Sequence, residues 1–416
     1  MEYNIILEGD CLERLKELPD CCVDSIITDP PYGLSFMGKK WDYDVPSVEV
    51  WKECLRVLRP GGTALIFAGS RTQHRMAVNV EDAGFILKDC IMWLYGSGFP
   101  KATDISKQLD KSVGAERKVI GTKYDLLKIG SKPGTVGDKH EGYQRPWNAN
   151  ANANAYLVSE PETQDAKLWE GWKSHGLKPA YEPILVAMKP NEGSYANNAL
   201  KHRVSGLNIE KCRIGTEEIS THGGGDKYAG LKGKSNGGIG EYREHQGRYP
   251  ANIILDEEAG KILDEQSGES KSISSNRVDK INNINPLNNS SSGAYRIFNI
   301  NDKGGASRFF YCAKASKSER NNGCEMLDEK FMNGLDKMGG EKCGMKTGSG
   351  NPRLGVNSNN HPTVKPLKLM EYLCKLTKTP TCGIVLDPYS GSGTTAIACL
   401  RTVRKYILID KMWEET

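Results

Sequence analysis

Residues 23–33 read Val23-Asp24-Ser25-Ile26-Ile27-Thr28-Asp29-Pro30-Pro31-Tyr32-Gly33. The run Val23 to Thr28 is short and rich in β-branched residues, which predicts a buried strand. Asp29-Pro30-Pro31-Tyr32 then stands at the mouth of a sheet. Proline has no N–H and restricts the residue before it, so this corner is stiff and extended, and ladder pairing cannot use all its carbonyls. Such a corner suits an exocyclic amino group on a planar base: the carboxylate and a carbonyl accept its two hydrogens while the ring stacks on the base. A proline-rich turn with a surface tyrosine reads the same way in isolation. A second Asp-Pro corner decides between them.

That corner is Leu386-Asp387-Pro388-Tyr389-Ser390-Gly391-Ser392-Gly393-Thr394-Thr395. It follows the apolar run 382–386 and precedes Ala396-Ile397-Ala398-Cys399-Leu400, which reads as a helix. Strand, glycine turn and helix make a nucleotide-cofactor arrangement, because glycines let backbone approach a ligand and a helix start offers free N–H groups. A P-loop would need Lys before the Ser/Thr, where Gly393 stands, and the six-residue dinucleotide fingerprint lacks its third glycine. A short turn with an acid after the next strand fits a nucleoside whose charge is a single carboxylate. Asp410, ending Lys405-Tyr406-Ile407-Leu408-Ile409-Asp410, is that acid and suits a ribose diol.

Around the first corner the pattern alternates. Asn4 to Leu7 reads as a strand, Leu12, Leu15 and Leu18 as a helix stripe, and Val50, Trp51, Cys54, Leu55 and Leu58 as a helix face stopped by Pro60-Gly61-Gly62. Thr63–Ala68 and Phe85–Trp93 read as strands flanking a helix over 71–84, and Ile184–Met188 as a further strand. This rhythm predicts a doubly wound α/β sheet. Glu182, just before that further strand, is read as structural.

With these residues in place, the chain resembles the S-adenosylmethionine-dependent DNA amino-methyltransferases, in the beta arrangement and its phage- and prophage-borne members. The likeness covers roughly residues 3–100, 168–215 and 306–410. It implies a Rossmann-like methyltransferase sheet in circularly permuted order, with a loop-rich inserted target-recognition region. It also implies a catalytic loop at Asp29, Pro30, Pro31 and Tyr32, and Asp10 on the adenine side of S-adenosyl-L-methionine. His361 and Lys365 in His361-Pro362-Thr363-Val364-Lys365-Pro366 would hold the methionine end. Asp387, Pro388, Tyr389, Gly391, Ser392, Gly393, Thr394 and Thr395 would form the cofactor turn, with Asp410 as the ribose acid. An aromatic against the flipped base is expected in Tyr95 to Pro100, with Phe99 preferred, Tyr95 the alternative and a plain core ring the bland option. Two departures are Tyr389, where relatives have Phe, and the end at Thr416, which leaves little room for a helix after Asp410.

By resemblance the reaction is methyl transfer to adenine N6 in double-stranded DNA. Cytosine N4 differs only in the base accepted, and RNA or protein amide methyltransferases, which usually begin the corner with Asn, are a further reading. A DNA-binding protein with an inactive cofactor pocket is the non-enzymatic alternative. The family context allows a homodimer and a cognate restriction endonuclease as partners.

Composition sets the outer bounds. In 416 residues, 56 Lys and Arg stand against 52 Asp and Glu, so nucleic-acid affinity has to come from local patches. The segment 101–132 is one, with eight Lys or Arg against four Asp or Glu. Twelve scattered cysteines lack paired Cys-x-x-Cys spacing, which predicts reduced core residues and no metal. No apolar run reaches about 18 residues and the first residues lack signal-peptide character, so a cytoplasmic protein of a bacterial or phage-infected cell is expected. The expected organisation is a catalytic half at 1–100, a basic and Asn-rich insertion at 101–167, and a return to the sheet at 168–190. A target-recognition insertion at 191–355 and a cofactor half at 356–416 complete it. Within 191–355, strand-like islands stand at 252–255 and 308–313, and the aromatic and basic run Ala306 to Lys314 suits either a nucleic-acid surface or an edge strand.

Overall fold

The computed structural model describes residues 2–34, 42–96, 98, 102–122, 157–222, 242–271, 303–313, 330–331, 356–357 and 364–411. They form two compact units, one of residues 1–97, 180–328 and 358–416 and the other of residues 98–179 and 329–357.

The first unit carries a nine-stranded sheet. In chain order its elements are β1 (Ile5–Glu8), α1 (Cys11–Glu17), β2 (Val23–Thr28), α2 (Val48–Val57), β3 (Leu58–Phe67), α3 (Gln73–Asp82) and β4 (Ile86–Leu94). Then come β5 (Tyr181–Met188), α4 (Tyr195–His202), β6 (Ile253–Asp256), α5 (Glu257–Ser267), β7 (Tyr311–Ala313), α6 (Leu367–Leu376), β8 (Ile384–Asp387), α7 (Thr394–Arg401) and β9 (Lys405–Asp410). Across the sheet the order is β1-β9-β8-β2-β3-β5-β4-β6-β7. Every pairing is parallel except those of β5, which runs antiparallel to β3 and β4.

The sheet is doubly wound and Rossmann-like. Strand β8 leads to β9 on one side and β2 leads to β3 on the other, so the winding reverses between β8 and β2. Ligands of open α/β sheets bind beyond the carboxyl ends of strands at such a point. The permutation is visible in the pairing of the first strand with the last, Ile5 against Ile407 and Glu8 against Asp410.

All six residues of β2 are buried, as its composition requires. Ile26 packs in a cluster with Trp51, Cys54 and Val57 of α2, and Ile27 in another with Leu369, Leu373 and Cys374 of α6. The period of two thus feeds both faces of the sheet. Asp24 in the same strand is 2% exposed and ion-paired to Arg59 at 2.8 Å, while it accepts the Ile384 N–H at 2.6 Å. Buried charge survives there because it is paired.

Two local expectations shift. Pro60-Gly61-Gly62 does not separate helix from strand, for β3 already starts at Leu58 and the ladder with β2 is irregular there. Gly61 sits at φ +74°, and a Cβ on it would meet the Asn198 amide at 2.2 Å, so the irregularity needs glycine. The islands near 252 and 311 lie in the sheet itself: β6 pairs with β4 and β7 with β6, both parallel, and residues 306–309 form a 3₁₀ turn before β7. Tyr311 stacks on Tyr372 at 4.0 Å and donates to the Lys368 carbonyl, the behaviour of an edge-strand ring.

In the second unit, helix Ile105–Ser112 accompanies antiparallel strands Val119–Thr122 and Leu157–Ser159. Asp110 accepts from Arg117 at 2.8 Å and from the Thr163 hydroxyl at 2.8 Å, so part of the basic segment's charge is used internally. Among the described residues no helix is long and apolar enough to cross a membrane.

Candidate active site

Strand β2 ends at Thr28, and the next four residues turn out of the sheet at the reversal point. Pro30 is buried, and Asp29, Pro31 and Tyr32 are half-buried. The Tyr32 hydroxyl lies 2.7 Å from Asp29 Oδ1, and Lys365 Nζ lies 2.9 Å from Asp29 Oδ2. A second carboxylate completes the cluster: Glu182 Oε2 is 3.0 Å from Lys365 Nζ and 3.1 Å from the Tyr32 hydroxyl. Lys365 also donates to the Tyr32 oxygen at 3.0 Å, and its ammonium stands 5.0 Å from the Phe67 ring centre.

Burial is the largest influence on Asp29 and pushes its carboxyl up; Lys365 pulls it down and Glu182 pushes it up, leaving it above the usual carboxylate range. Burial opposes charge on Lys365, yet Asp29 and Glu182 outweigh it and hold the ammonium above its ordinary value. Burial first, then the two carboxylates, drive the Tyr32 phenol well above its ordinary range. The site is therefore a cation shared between two acids, with a neutral phenol bridging them.

Glu182, read as structural from the sequence, thus belongs to the cluster. It occupies the second position of β5, whose partner in β4 is Trp93. No motif announces it. A carboxylate beside Pro183 at the mouth of a strand that lines the same sheet edge is the signal that could have found it.

The second corner lies one strand away. Asp387 ends β8, is 2% exposed, and accepts the Tyr389 N–H at 3.1 Å and the Thr395 hydroxyl at 2.5 Å. Burial pushes its carboxyl up to about 6 against the pull of those bonds. Pro388 is buried, and the Tyr389 hydroxyl accepts from the Cys11 thiol at 3.2 Å, which ties the turn to α1. Gly391 and Gly393 both have positive φ, +50° and +75°. Gly393 caps α7, and the Ser392 and Thr394 hydroxyls beside it are 3.1 Å apart. Asp410 accepts the Gly391 N–H at 2.6 Å.

Asp10 and Asp410 come together as expected from the permuted order. Gly9 N–H donates to the Asp410 carbonyl at 2.8 Å, and Asp10 pairs with Lys411 at 3.0 Å while capping α1 through Leu12 N–H. The Lys411 bond holds the Asp10 carboxyl below its ordinary value. Lys365, assigned by resemblance to a cofactor's methionine end, reaches the Asp29 carboxylate. Phe99 and His361 lie outside the described residues. Tyr95, the alternative to Phe99, packs against Trp93 at 5.5 Å, and burial first, then Glu182, push its phenol up to about 12. No group of three or more His, Cys, Asp or Glu among the described residues is placed to hold a metal.

Comparison with known proteins adds three findings. A family model described as DNA methylase matches residues 23–416. Type II methyltransferase M.HinfI of Haemophilus influenzae is 30% identical over 112 residues, 22% of this chain and 31% of that protein. Type II methyltransferase M.HindIII of Haemophilus influenzae is 27% identical over 248 residues, 49% of this chain and 65% of that protein. The chain thus spans less than two-thirds of either curated relative. The solved structure of the PvuII DNA methyltransferase, described as cytosine-N4-specific, matches with a TM-score of 0.39 at 14% identity, over 99% of this chain and 82% of that one.

Proposed function

Because the chain belongs to the DNA methylase family, whose model matches residues 23–416, we propose that it transfers a methyl group from S-adenosylmethionine to the N6 amino group of adenine in double-stranded DNA. The observation that carries this reading is the position of Asp29. Its carboxylate stands at the end of β2, beside the glycine turn at the end of β8, where the sheet winding reverses.

The turn's chemistry fits that cofactor. A Cβ built on Gly393 would enter open space, and the left-handed φ there keeps a side chain out of the turn's mouth. The Asp10 and Asp410 carboxylates suit adenosine hydroxyl and amino donors, and the Ser392 and Thr394 hydroxyls at the α7 start suit a carboxylate. The cofactor, when bound, supplies an electrophilic methyl on a sulfonium.

The rest falls to the chain's own groups. An aryl amine is a poor nucleophile because its lone pair is delocalised into the ring. Hydrogen bonds from the amine to Asp29 and the Pro30 carbonyl favour the pyramidal form, and the Tyr32 ring offers the face on which an extruded base stacks. Asp29 also offsets the positive charge that grows on nitrogen during transfer. Asp, not Ser, at position 29 supports adenine over cytosine by family resemblance.

The test is transfer of labelled methyl from S-adenosylmethionine to unmethylated DNA, followed by digestion and separation of nucleosides, with Asp29→Ala in parallel. Label in N6-methyladenine from the wild type alone is the expected result. Label in N4-methylcytosine would reassign the base. Loss of both transfer and cofactor binding in Asp29→Ala would move the site elsewhere.

A further inference from the structure

Both oxygens of Asp29 are already engaged. Oδ1 holds the Tyr32 hydroxyl at 2.7 Å and Oδ2 holds the Lys365 ammonium at 2.9 Å. Two of the carboxylate's roughly four acceptor positions are thus taken. A carboxylate neutralised by a contacting ammonium is a weaker acceptor for a target amino group than one from which that ammonium has moved away. Lys365 is 9% exposed, and a displaced ammonium or phenol left without an acceptor in so dry a place is strongly unfavourable.

Each of the two donors touches one other acid, and it is the same atom: Glu182 Oε2 lies 3.0 Å from Lys365 Nζ and 3.1 Å from the Tyr32 oxygen. We propose that Glu182 is a positioning residue that takes over Lys365 and the Tyr32 hydroxyl from Asp29, so that the Asp29 carboxylate is released to receive the target amine. This rests on the methyl-transfer reading above.

The exchange demands little movement, since both donors are within hydrogen-bond reach of both acids in one arrangement. Glu182 is fixed for the task. Its backbone lies in β5, the antiparallel strand of the nine-stranded sheet, with Trp93 opposite it and Pro183 next in the chain, whose carbonyl accepts the Ala68 N–H at 3.0 Å.

Charge explains why an acid is needed. Asp29, Glu182 and Lys365 together carry one surplus negative charge when ionised. While Lys365 pairs with Asp29, that surplus sits on Glu182, away from the amine. Once Lys365 pairs with Glu182, the surplus sits on Asp29, facing the nitrogen that becomes cationic during transfer. A glutamine at 182 would offer Lys365 a neutral oxygen and turn N–H donors toward an ammonium, so Lys365 would stay on Asp29.

The experiment uses the full chain with Glu182→Gln and Glu182→Asp beside the wild type. It measures label transfer to DNA over pH, calorimetric binding of S-adenosylmethionine, and melting temperature. Glu182→Gln should lower kcat about 10²-fold with KM for DNA, cofactor binding and melting temperature near those of the wild type, and Glu182→Asp should recover part of kcat. The acid limb of the rate profile should move to lower pH in Glu182→Gln, because a negative charge that raises Asp29 is gone; Lys365, Tyr32 and Asp387 are the other ionisable groups facing it. Wild-type kcat with an unmoved acid limb in Glu182→Gln would overturn the inference. So would equal loss of fold or cofactor binding in both variants, which marks a purely structural role. A wild type that transfers no label removes the reaction itself, whereas an active wild type with an unaffected Glu182→Gln removes only the exchange.

Discussion

The backbone N–H of Tyr32 donates to Asp42 Oδ1 at 2.7 Å. The same carboxylate accepts Gly33 N–H at 3.0 Å and Leu34 N–H at 3.2 Å, and on the other side the Thr72 hydroxyl donates to the Tyr32 carbonyl at 2.6 Å. Asp42 is 3% exposed, so Tyr32 is oriented through its backbone by a buried acid outside any motif. Asp42→Ala leaves three amides without this acceptor and should lower kcat/KM by about 10²-fold through misplacement of Tyr32. Steady-state methyl transfer checks this, and a fall of about 1–3 kcal/mol in denaturant stability should accompany it.

Gly393 holds φ +75° at the start of α7 with open space where a Cβ would go. Gly393→Ala meets no steric neighbour, so its cost is conformational, about 1–2 kcal/mol for a left-handed L-residue. The relaxed turn should bind S-adenosylmethionine more weakly while the melting temperature falls by a few degrees, as calorimetry and thermal unfolding would register. Unchanged affinity would show that the turn tolerates a right-handed residue.

Asp387 titrates near 6 in the folded chain, above the ordinary carboxylate value, with burial as the main cause. Its folded state therefore keeps a proton that the unfolded chain releases from about pH 4 upward. Stability from this group is full below that pH, is lost as pH rises to about 6, and is flat beyond. The loss amounts to about 3 kcal/mol. Denaturant unfolding of the wild type and Asp387→Asn across pH 4–7 should show the wild type losing ground to the variant over this window and holding steady above it.

Arg404, 3% exposed, donates to the Cys382 carbonyl at 3.0 Å, the Cys374 carbonyl at 3.1 Å, the Thr377 hydroxyl at 2.8 Å and the Ser25 hydroxyl at 2.9 Å. It joins the approach to β9, the end of α6 and strand β2 through neutral acceptors. Arg404→Met preserves much of the volume but strands those four groups, and should cost about 3 kcal/mol in urea unfolding. A loss below about 1 kcal/mol would mean that the acceptors re-pair locally.

Most of the sheet was legible because its signals are local. Val23 to Thr28 announces a strand buried on both faces, and the two corners announce strand ends through proline and glycine chemistry that acts within a few residues. The strands near 254 and 311 were recognisable as extended segments, yet their place in the central sheet was not, because parallel pairing, of β6 with β4 and of β7 with β6, leaves no mark on either segment. Pro60-Gly61-Gly62 was misread as a plain stop for the opposite reason. Its punctuation is real, but tertiary pairing with β2 and the Asn198 amide converts a turn into an irregularity within a strand.

The sequence by itself determined the two Asp-Pro corners, the glycine turn and the strand-helix alternation that sets the fold class, all of which rest on backbone preferences and short-range periodicity, while the permuted order came from family resemblance. Only the tertiary structure decided what surrounds Asp29. Glu182 and Lys365 arrive from strand β5 and from the residues before α6, and they converge on one carboxylate through the alignment of strand ends across the sheet. Such convergence is set by register and burial between distant segments, and these interactions act across space without constraining neighbours in the chain.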